Sequence, residues 1–467
     1  MTAARGQYTL PSLSLRQLTS TLYDNLPSPK SMISSFARNS IVGALDSAIT
    51  IGSLEIEDAD TFYRFGQEED KGRVVRMRVL NANFWSRVLL HGDLGFSEAY
   101  MVGDVQVDNL DEVMQFWLDN EAGMDAMTSV FARITSAVSS LSNALFGQSR
   151  SNARLNAIAS YDQSNELFKA FLSKEMMYSC ALWSDEDGGP LGDLQPGSAK
   201  YMKSLESAQL RKIHHVLRKA QVKPGDRILE FGSGWGGLAI VAARSYGCEV
   251  DTLTLSVEQK KLAEQRVLDA GLEGRVRVHL MDYRELPPHF EKAFDAFISI
   301  EMLEHVGSKH YYTYFKIVDW ALKAKNATAV VSSSTFPESR YTGYQAEDFM
   351  RKYMWPNSCL PSATVLITAA HDASQGRFTL DSVENHAAHY PRTLREWDRR
   401  LEANLTQELV AADIPVLEND TAAYEVFKRK WRYLFAYAGA GLARGYISCH
   451  MLSFIREDDA PSIVSYE

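Results

Sequence analysis

The sequence predicts an α/β fold with a doubly wound, mostly parallel sheet, preceded by a smaller α+β unit. Five apolar, β-branched runs of the second half alternate with helical patterns: DRILEF, CEVDTLTLS, RVRVHLMDY, FDAFISI and TAVVSSSTF. Strands that alternate with helices form parallel sheets, and such sheets bind ligands at the carboxyl ends of their strands. The first run enters a glycine-rich turn, ILEFGSGWGGLAI at 228–240, where a ligand can approach bare main chain.

The length of the chain predicts two domains. Its 467 residues exceed the size of one ordinary core. A Ser-rich stretch at about 130–150 is typical of a linker, and we place the boundary between residues 1–145 and 146–467. In the first unit, a helical pattern at 31–49 precedes short alternating runs, which predicts a small α+β domain with a leading helix.

Composition and charge exclude several classes of protein. A formal net charge of −10 disfavours nucleic-acid binding, because the phosphate backbone would be repelled. No apolar run approaches the roughly 20 residues of a transmembrane helix, and the N-terminus lacks a secretory signal pattern. The four cysteines lie far apart without zinc-site spacing, which favours a reducing compartment. We therefore expect a cytoplasmic protein without a zinc site or transmembrane helix.

The glycines of the turn are compatible with two kinds of cofactor. Gly232, Gly234 and Gly237 satisfy the dinucleotide fingerprint, whereas Gly232, Gly234 and Gly236 satisfy the related turn of S-adenosylmethionine-dependent methyltransferases. A dinucleotide site wants an acidic residue at the end of the second strand. Asp251 has about the right spacing but is predicted inside that strand. The glycines alone do not decide between the two cofactors.

Acidic residues at the later strand ends favour a methyl donor. The third predicted strand ends at Asp282, where an adenine would lie, and the fourth delivers Glu301, Glu304 and His305 beside the reaction centre. These last three residues resemble a metal trio in composition. With one imidazole and no cysteine partner, however, they do not predict a metal site.

Seven motifs together resemble cyclopropane-fatty-acyl-phospholipid synthases and the related mycolic acid methyltransferases. They are YSCALW at 178–183, LEFGSGWGGLA at 229–239, LTLSVEQ at 253–259, MDYRELP at 281–287, EMLEHVGSKHYYTYF at 301–315, KYMWPNSCLPS at 352–362 and YAGAGLARGY at 437–446. The stretches 92–117 and 160–168 resemble the N-terminal domain of the bacterial synthases and the entry to their catalytic domain. The resemblance spans about residues 50–457, and no single motif would carry it.

This resemblance implies a seven-stranded Rossmann-like sheet and a set of residues that bind S-adenosylmethionine. The glycine turn and the following helix would receive the methionine part, the second strand's exit the ribose, and the third strand's end the adenine. The implied donor-site residues are Tyr178, Ser179, Gly232, Gly234, Gly236, Thr254, Ser256, Gln259, Asp282 and Tyr283. Thr254 and Ser256 could equally be structural residues of a turn.

The reaction that the resemblance implies adds a methyl group to a neutral carbon–carbon double bond. The resulting carbocation loses a proton and closes a cyclopropane ring, so the site must supply a base and exclude water. In related enzymes this base is a bicarbonate, and Glu304, Tyr433 and the main chain at Cys180 match three of its contacts. The family's histidine is missing, because Ser332 or Ser333 stands at its expected place. Bicarbonate binding and ring closure are therefore both open.

The expected substrate is an unsaturated acyl chain of a phospholipid at a membrane surface. Two alternatives of the same class are a methyl-branched or methylene product and methylation of another apolar or amine substrate. An alternative of another class is a lipid-binding protein without turnover, and a nicotinamide oxidoreductase is a more distant one. The resemblance also implies peripheral membrane association and lipid presentation by the N-terminal domain, with a homo-oligomer as a hypothesis.

Overall fold

Two β-sheets organise the chain. The computed structural model describes residues 29–66, 73–124, 155, 164–197 and 205–456. The predicted boundary at 145 and the Ser-rich linker lie outside these described residues. One sheet of four strands belongs to the first part of the chain, and one of seven strands belongs to the second.

The four-stranded sheet is mixed, in the order β2-β1-β3-β4. Its strands are β1 Ser53–Asp58, β2 Thr61–Gly66, β3 Val74–Val79 and β4 Val105–Val107. β1 pairs antiparallel with β2 and parallel with β3, and β3 pairs antiparallel with β4. Alternate residues of β1 and β3 are buried, as expected for a sheet with one face on a core.

The seven-stranded sheet has the order β10-β11-β9-β8-β5-β6-β7. Its strands are β5 Arg227–Phe231, β6 Glu249–Thr254, β7 Val276–Leu280, β8 Ala296–Ile300, β9 Thr328–Thr335, β10 Phe378–Asn385 and β11 Ser448–Arg456. β5 to β9 are parallel, and β11 is antiparallel to both its neighbours. The predicted doubly wound, mostly parallel sheet of seven strands is confirmed.

Helices cover both sheets. Their bounds are α1 Pro29–Ala48, α2 Asn83–Val102, α3 Leu110–Asp119, α4 Asn165–Phe171, α5 Leu205–Lys219, α6 Gly237–Tyr246, α7 Val257–Asp269, α8 Tyr311–Ala321, α9 Ala363–Ser374, α10 Tyr390–Asn404, α11 Gln407–Ala411 and α12 Thr421–Ala443. None of the helices in the described part of the chain is long and apolar enough to cross a bilayer.

The strand order creates a crevice between β5 and β8. From β5 the chain continues to β6 and β7 on one side, whereas β8 and β9 lie on the other. Ligands of open α/β sheets bind where the strand order reverses in this way. The glycine turn follows β5 and Glu301 follows β8, so both stand at this crevice.

One apolar core joins the first part of the chain to the helices beside the large sheet. It contains Phe84, Phe96 and Phe116 of α2 and α3, together with Trp397 of α10 and Trp431 of α12. Across this contact the ring of Phe96 lies 6.5 Å from that of Tyr433, and Lys352 Nζ lies 2.9 Å from Glu98 Oε1. The first part of the chain is thus packed against α10 and α12, which lie later in the sequence than the strands of the crevice.

Candidate active site

The glycine turn after β5 has the backbone that its sequence predicts. Gly232, Gly234 and Gly236 have φ of 90°, 47° and 79°, a region that side chains with a Cβ rarely adopt. Apart from Gly234 itself and its two chain neighbours, no described residue has an atom within 4 Å of a Cβ built on Gly234, so the space beside this residue is open to a ligand. At Gly237, by contrast, a Cβ would lie 2.2 Å from Glu175 O, and this glycine serves close packing.

The three predicted residues at the exit of β6 are joined by hydrogen bonds. Ser256 caps α7 by accepting from Gln259 N at 3.2 Å, and Thr254 Oγ1 donates to Gln259 Oε1 at 2.8 Å. Thr254 Oγ1 also accepts from Ser256 N at 3.1 Å. A side-chain N-cap stabilises a helix by about 1 kcal/mol, so these residues have a structural role whatever they bind.

The two predicted adenine-site residues lie side by side in different environments. Asp282 accepts three hydrogen bonds from Arg284, from its main-chain N, Nε and Nη2, and these bonds hold the pKa of Asp282 below its usual range. Tyr283 is 9% exposed, and its ring packs against Phe231 and Tyr314 at 5.5 and 5.4 Å. The Asp282 carboxylate is thus partly exposed, whereas the Tyr283 ring is buried and packs against aromatic rings of the core.

Asp251 lies inside β6 and is neutralised by three side chains. Arg227 Nε and Arg277 Nε donate to it at 2.8 and 2.9 Å, and His279 Nε2 lies at 2.9 Å. Burial raises the pKa of Asp251, but these bonds outweigh burial and hold it well below the usual range. A carboxylate with all its acceptor sites engaged is not available to ribose hydroxyls, which argues against the dinucleotide interpretation.

Tyr178 and Ser179 lead the chain to the crevice. The Tyr178 ring contacts those of Phe168 and Trp397 at 5.1 and 5.2 Å. Ser179 is 3% exposed, and its Oγ accepts from Lys212 Nζ at 2.6 Å. The main-chain carbonyl of Ser179 accepts from Gln209 Nε2 at 2.8 Å. Two side chains of α5 therefore fix the segment that precedes Cys180.

The main-chain N–H of Cys180 donates to a carboxylate of the protein itself. Its acceptor is Glu301 Oε1, at 2.8 Å, and Tyr390 Oη donates to Glu301 Oε2 at 2.5 Å. Glu301 directly follows β8 with φ of 53°, an uncommon backbone region for a residue other than glycine. Burial raises the pKa of Glu301, whereas the bonds from Tyr390 and Cys180 act in the opposite direction.

Glu304 lies close to Glu301 but has different partners. Its Oε1 accepts from Ser334 N at 2.6 Å, and its Oε2 is a buried atom without a hydrogen-bond partner in the described part of the chain. Burial, and then the nearby charge of Glu301, raise the pKa of Glu304 to about 8. Both effects favour the protonated form of the Glu304 carboxyl.

The structure places Tyr433 away from these two carboxyl groups. Its ring packs against Phe349 at 4.5 Å and against Tyr100 at 5.9 Å, in the contact with the first part of the chain. The hydroxyl that reaches the predicted anion site belongs to Tyr390, at the start of α10. Ser332 accepts from Glu301 N through its main-chain carbonyl at 2.8 Å.

Tyr390 and Lys212 are site residues that sequence reasoning missed. Lys212 is 2% exposed and shares an enclosed cavity with both Glu301 and Cys180. Burial lowers the pKa of Lys212 to about 8, although Glu301 acts to raise it. A signal was present in α5, where Lys212 interrupts an apolar face that also contains Leu205, Ala208 and Val216.

Comparison with known proteins relates this chain to lipid-modifying enzymes. The family described as mycolic acid cyclopropane synthetase matches residues 148–451. The chain is 35% identical over 376 residues to the cyclopropane-fatty-acyl-phospholipid synthase of Escherichia coli strain K12. The matched residues make up 79% of this chain and 85% of the relative. It is 32% identical over 378 residues to the tuberculostearic acid methyltransferase UfaA1 of Mycobacterium tuberculosis, covering 79% and 81%.

Solved structures share the fold. Mycolic acid cyclopropane synthase CmaA1, complexed with SAH and CTAB, is 25% identical with a TM-score of 0.51, covering 64% of this chain and 97% of that one. Coclaurine N-methyltransferase bound to N-methylheliamine and SAH is 17% identical with a TM-score of 0.55, covering 77% and 98%. The second likeness concerns the fold alone.

Proposed function

Because this chain belongs to the mycolic acid cyclopropane synthetase family and is an S-adenosylmethionine-dependent methyltransferase of the cyclopropane-fatty-acyl-phospholipid synthase type, we propose that it acts on phospholipid acyl chains. The reaction transfers a methylene unit to the double bond of an unsaturated chain and forms a cyclopropane ring. The likeness to the E. coli relative extends over most of both chains and supports this substrate class.

The methyl donor lies in the crevice between β5 and β8. S-adenosylmethionine supplies an electrophilic methyl group on its sulfonium. The open space beside Gly234 supports the placement of the methionine part there, next to the first turn of α6. The position of Asp282, partly exposed at the end of β7 and next to the ring of Tyr283, supports the placement of the adenosine there. Thr254, Ser256 and Gln259 form the turn between these two places.

A pair of neighbouring carboxyl groups at the end of β8, Glu304 buried and Glu301 partly buried, is the observation that carries the proposal. A neutral double bond needs no deprotonation before it attacks the methyl group, but the resulting cation must lose a proton to a nearby base. Glu301 and Glu304 supply such a site beside the donor crevice: a main-chain N–H holds one oxygen of each, and Tyr390 holds the second oxygen of Glu301.

The proposal is tested with purified protein, S-adenosylmethionine and vesicles of a monounsaturated phosphatidylglycerol. We expect mass spectrometry to show the gain of one CH₂ unit per modified acyl chain. Proton NMR should show the upfield signals of cyclopropane hydrogens. If no phospholipid with unsaturated chains gains mass while S-adenosylmethionine binds, the substrate class is wrong.

A methylene-branched product is a second candidate, favoured by the serines of β9. The partners of the two carboxyl groups within the described residues include no imidazole, and Ser332, Ser333 and Ser334 stand in this part of β9. A cation that undergoes a hydride shift before proton loss gives an alkene of the same mass as the ring. Vinylidene signals in the NMR spectrum, instead of cyclopropane signals, would select this product.

The donor site has a matched pair of glycine substitutions. Gly234 and Gly225 both have positive φ, and both have open space around a built Cβ among the described residues. They stand at opposite ends of β5, so Gly234→Val and Gly225→Val introduce similar backbone strain in different places. Only Gly234→Val should abolish S-adenosylmethionine binding in calorimetry. Equal loss in both variants would mean that strain, and not the occupied space, is responsible.

The first part of the chain, residues 1–145, is the lipid-presenting domain in this proposal, and the protein acts at the cytoplasmic surface of a membrane. Its exposed apolar side chains support contact with lipid: Phe36, Phe62 and Leu80 are 54%, 62% and 57% exposed.

Replacing Phe36 and Phe62 by Asp should reduce co-sedimentation with anionic vesicles and leave donor binding unchanged. Light scattering tests the homo-oligomer that this domain would support.

A further inference from the structure

Glu301 combines a strained backbone with a carboxylate whose two oxygens each accept one hydrogen bond. A φ of 53° is unfavourable for a residue other than glycine, and such positions cluster at functional sites. At Glu301 this backbone directs the side chain towards Cys180 N and Tyr390 Oη, which hold its two oxygens at 2.8 and 2.5 Å. The three residues come from separate segments of the chain, so their meeting is a property of the tertiary fold.

The surroundings assign the negative charge of the carboxyl pair to Glu301. Glu301 has two donors and shares its cavity with the buried ammonium of Lys212, whereas Glu304 has one main-chain donor. Two neighbouring buried carboxyl groups do not both ionise readily, and the better stabilised one carries the charge. The raised pKa of Glu304, about 8, agrees with this assignment. The neutral Glu304 then contributes shape rather than charge.

We propose that Glu301 is the base of the reaction, a carboxylate built into the chain that accepts the proton without any added anion. This inference rests on the function proposed above. The sulfur–methyl bond of the donor breaks as the double bond takes up the methyl group, which leaves a carbocation on the substrate. A C–H bond of the new methyl group then breaks, its electron pair closes the ring, and the proton passes to Glu301.

The position also explains why the bicarbonate that the sequence analysis left open is not needed. That anion was expected at the main chain of Cys180, and this N–H already donates to Glu301 Oε1. A bicarbonate could enter only by displacing the side chain of Glu301. Tyr390 and Lys212 are positioning residues here, because they act on the reaction through Glu301 and Ser179.

Two variants of the protein, together with the wild type, test the proposal in buffer freed of carbonate. Glu301→Gln keeps the size of the side chain and removes the base, so turnover should fall by roughly 10²–10⁴ while the Kd for S-adenosylmethionine stays the same. Glu304→Gln is the matched control, because an amide imitates a protonated carboxyl, and its turnover should fall much less. The wild-type protein should not respond to added bicarbonate.

Glu301→Gly provides a rescue experiment. Glycine adopts φ of 53° without strain, and its substitution leaves a space with two free donors, Cys180 N–H and the Tyr390 hydroxyl. Added bicarbonate or formate should restore part of the turnover in Glu301→Gly, but not in Glu301→Gln, where the side chain fills the space.

The outcomes separate this inference from the proposed function. Unchanged turnover in Glu301→Gln, or a requirement of the wild-type protein for bicarbonate, would overturn the assignment of the base and leave the proposed function intact. Absence of any modified phospholipid with the wild-type protein would overturn the proposed function itself. Rescue of Glu301→Gly by formate, with none for Glu301→Gln, supports the built-in carboxylate.

Discussion

Asp251 and Glu301 are acidic residues of the large sheet that differ in the charge of their partners. Asp251 on β6 lies among two arginines and a histidine, and hydrogen bonds from these three groups outweigh burial and depress its pKa. Glu301 after β8 lies among a main-chain N–H, a tyrosine hydroxyl and one buried lysine, and burial raises its pKa. The difference indicates how a base can be recognised. Surrounding cations keep a carboxylate ionised, whereas a carboxylate held by neutral donors remains able to accept a proton.

The first prediction concerns the cation-paired site. Asp251→Asn removes the negative charge that pairs with both Arg227 and Arg277, so we expect the free energy of unfolding to fall by about 2–3 kcal/mol. The loss is limited because both arginines are partly exposed to solvent. Turnover per folded molecule should not change, because the site is distant from the reacting atoms in this proposal. Urea denaturation followed by activity of the folded fraction measures both quantities. A loss of turnover without a loss of stability would break the comparison.

The second prediction concerns the neutral donors of Glu301. Tyr390→Phe removes one hydrogen bond to a charged oxygen, so we expect turnover to fall by roughly 10- to 10²-fold and the free energy of unfolding to change little. The donor's Kd should stay the same, and the fall should come from kcat. Tyr433→Phe is the control, because Tyr433 packs in a separate aromatic cluster. A larger fall in Tyr433→Phe would restore the role that the sequence predicted for Tyr433.

Local patterns made the fold and the donor turn predictable from the sequence. The alternation of apolar strands with helical segments led to the parallel strands, and the glycines led to a turn whose φ values are positive at Gly232, Gly234 and Gly236. The same patterns placed Asp251 inside a strand, where the structure has it. These features depend on residues close in sequence, so periodicity and turn chemistry suffice to find them.

The partners of the carboxyl groups were not predictable in the same way. Tyr390 is 89 residues from Glu301 in sequence, and Cys180 is 121 residues from it. Which tyrosine reaches the site depends on how α10 and α12 pack against the sheet, and a motif match selected Tyr433 instead. The direction of the Glu301 side chain depends on one positive φ, which no propensity of glutamate indicates. The assignment of a base therefore required the tertiary structure.

The smallest expected effect concerns stability as a function of pH. The folded-state pKa of Glu304, about 8, lies above its ordinary value of 4.5, so folding favours the protonated form. The stabilisation is fully present below pH 4.5 and is lost as pH rises towards 8, because the buried carboxyl then resists ionisation that is free in the unfolded chain.

Glu304→Gln cannot ionise and should lose less stability over this range. We expect its Tm, relative to wild type, to rise by a few degrees between pH 6 and pH 9. Differential scanning calorimetry at both pH values measures this change. Asp251→Asn is the control: the depressed pKa of Asp251 confines its pH-dependent contribution to low pH, so the Tm difference between this variant and wild type should stay the same from pH 6 to pH 9. A constant difference in Tm between Glu304→Gln and wild type would mean that Glu304 is already ionised at pH 6, and the charge would then belong to Glu304 rather than to Glu301.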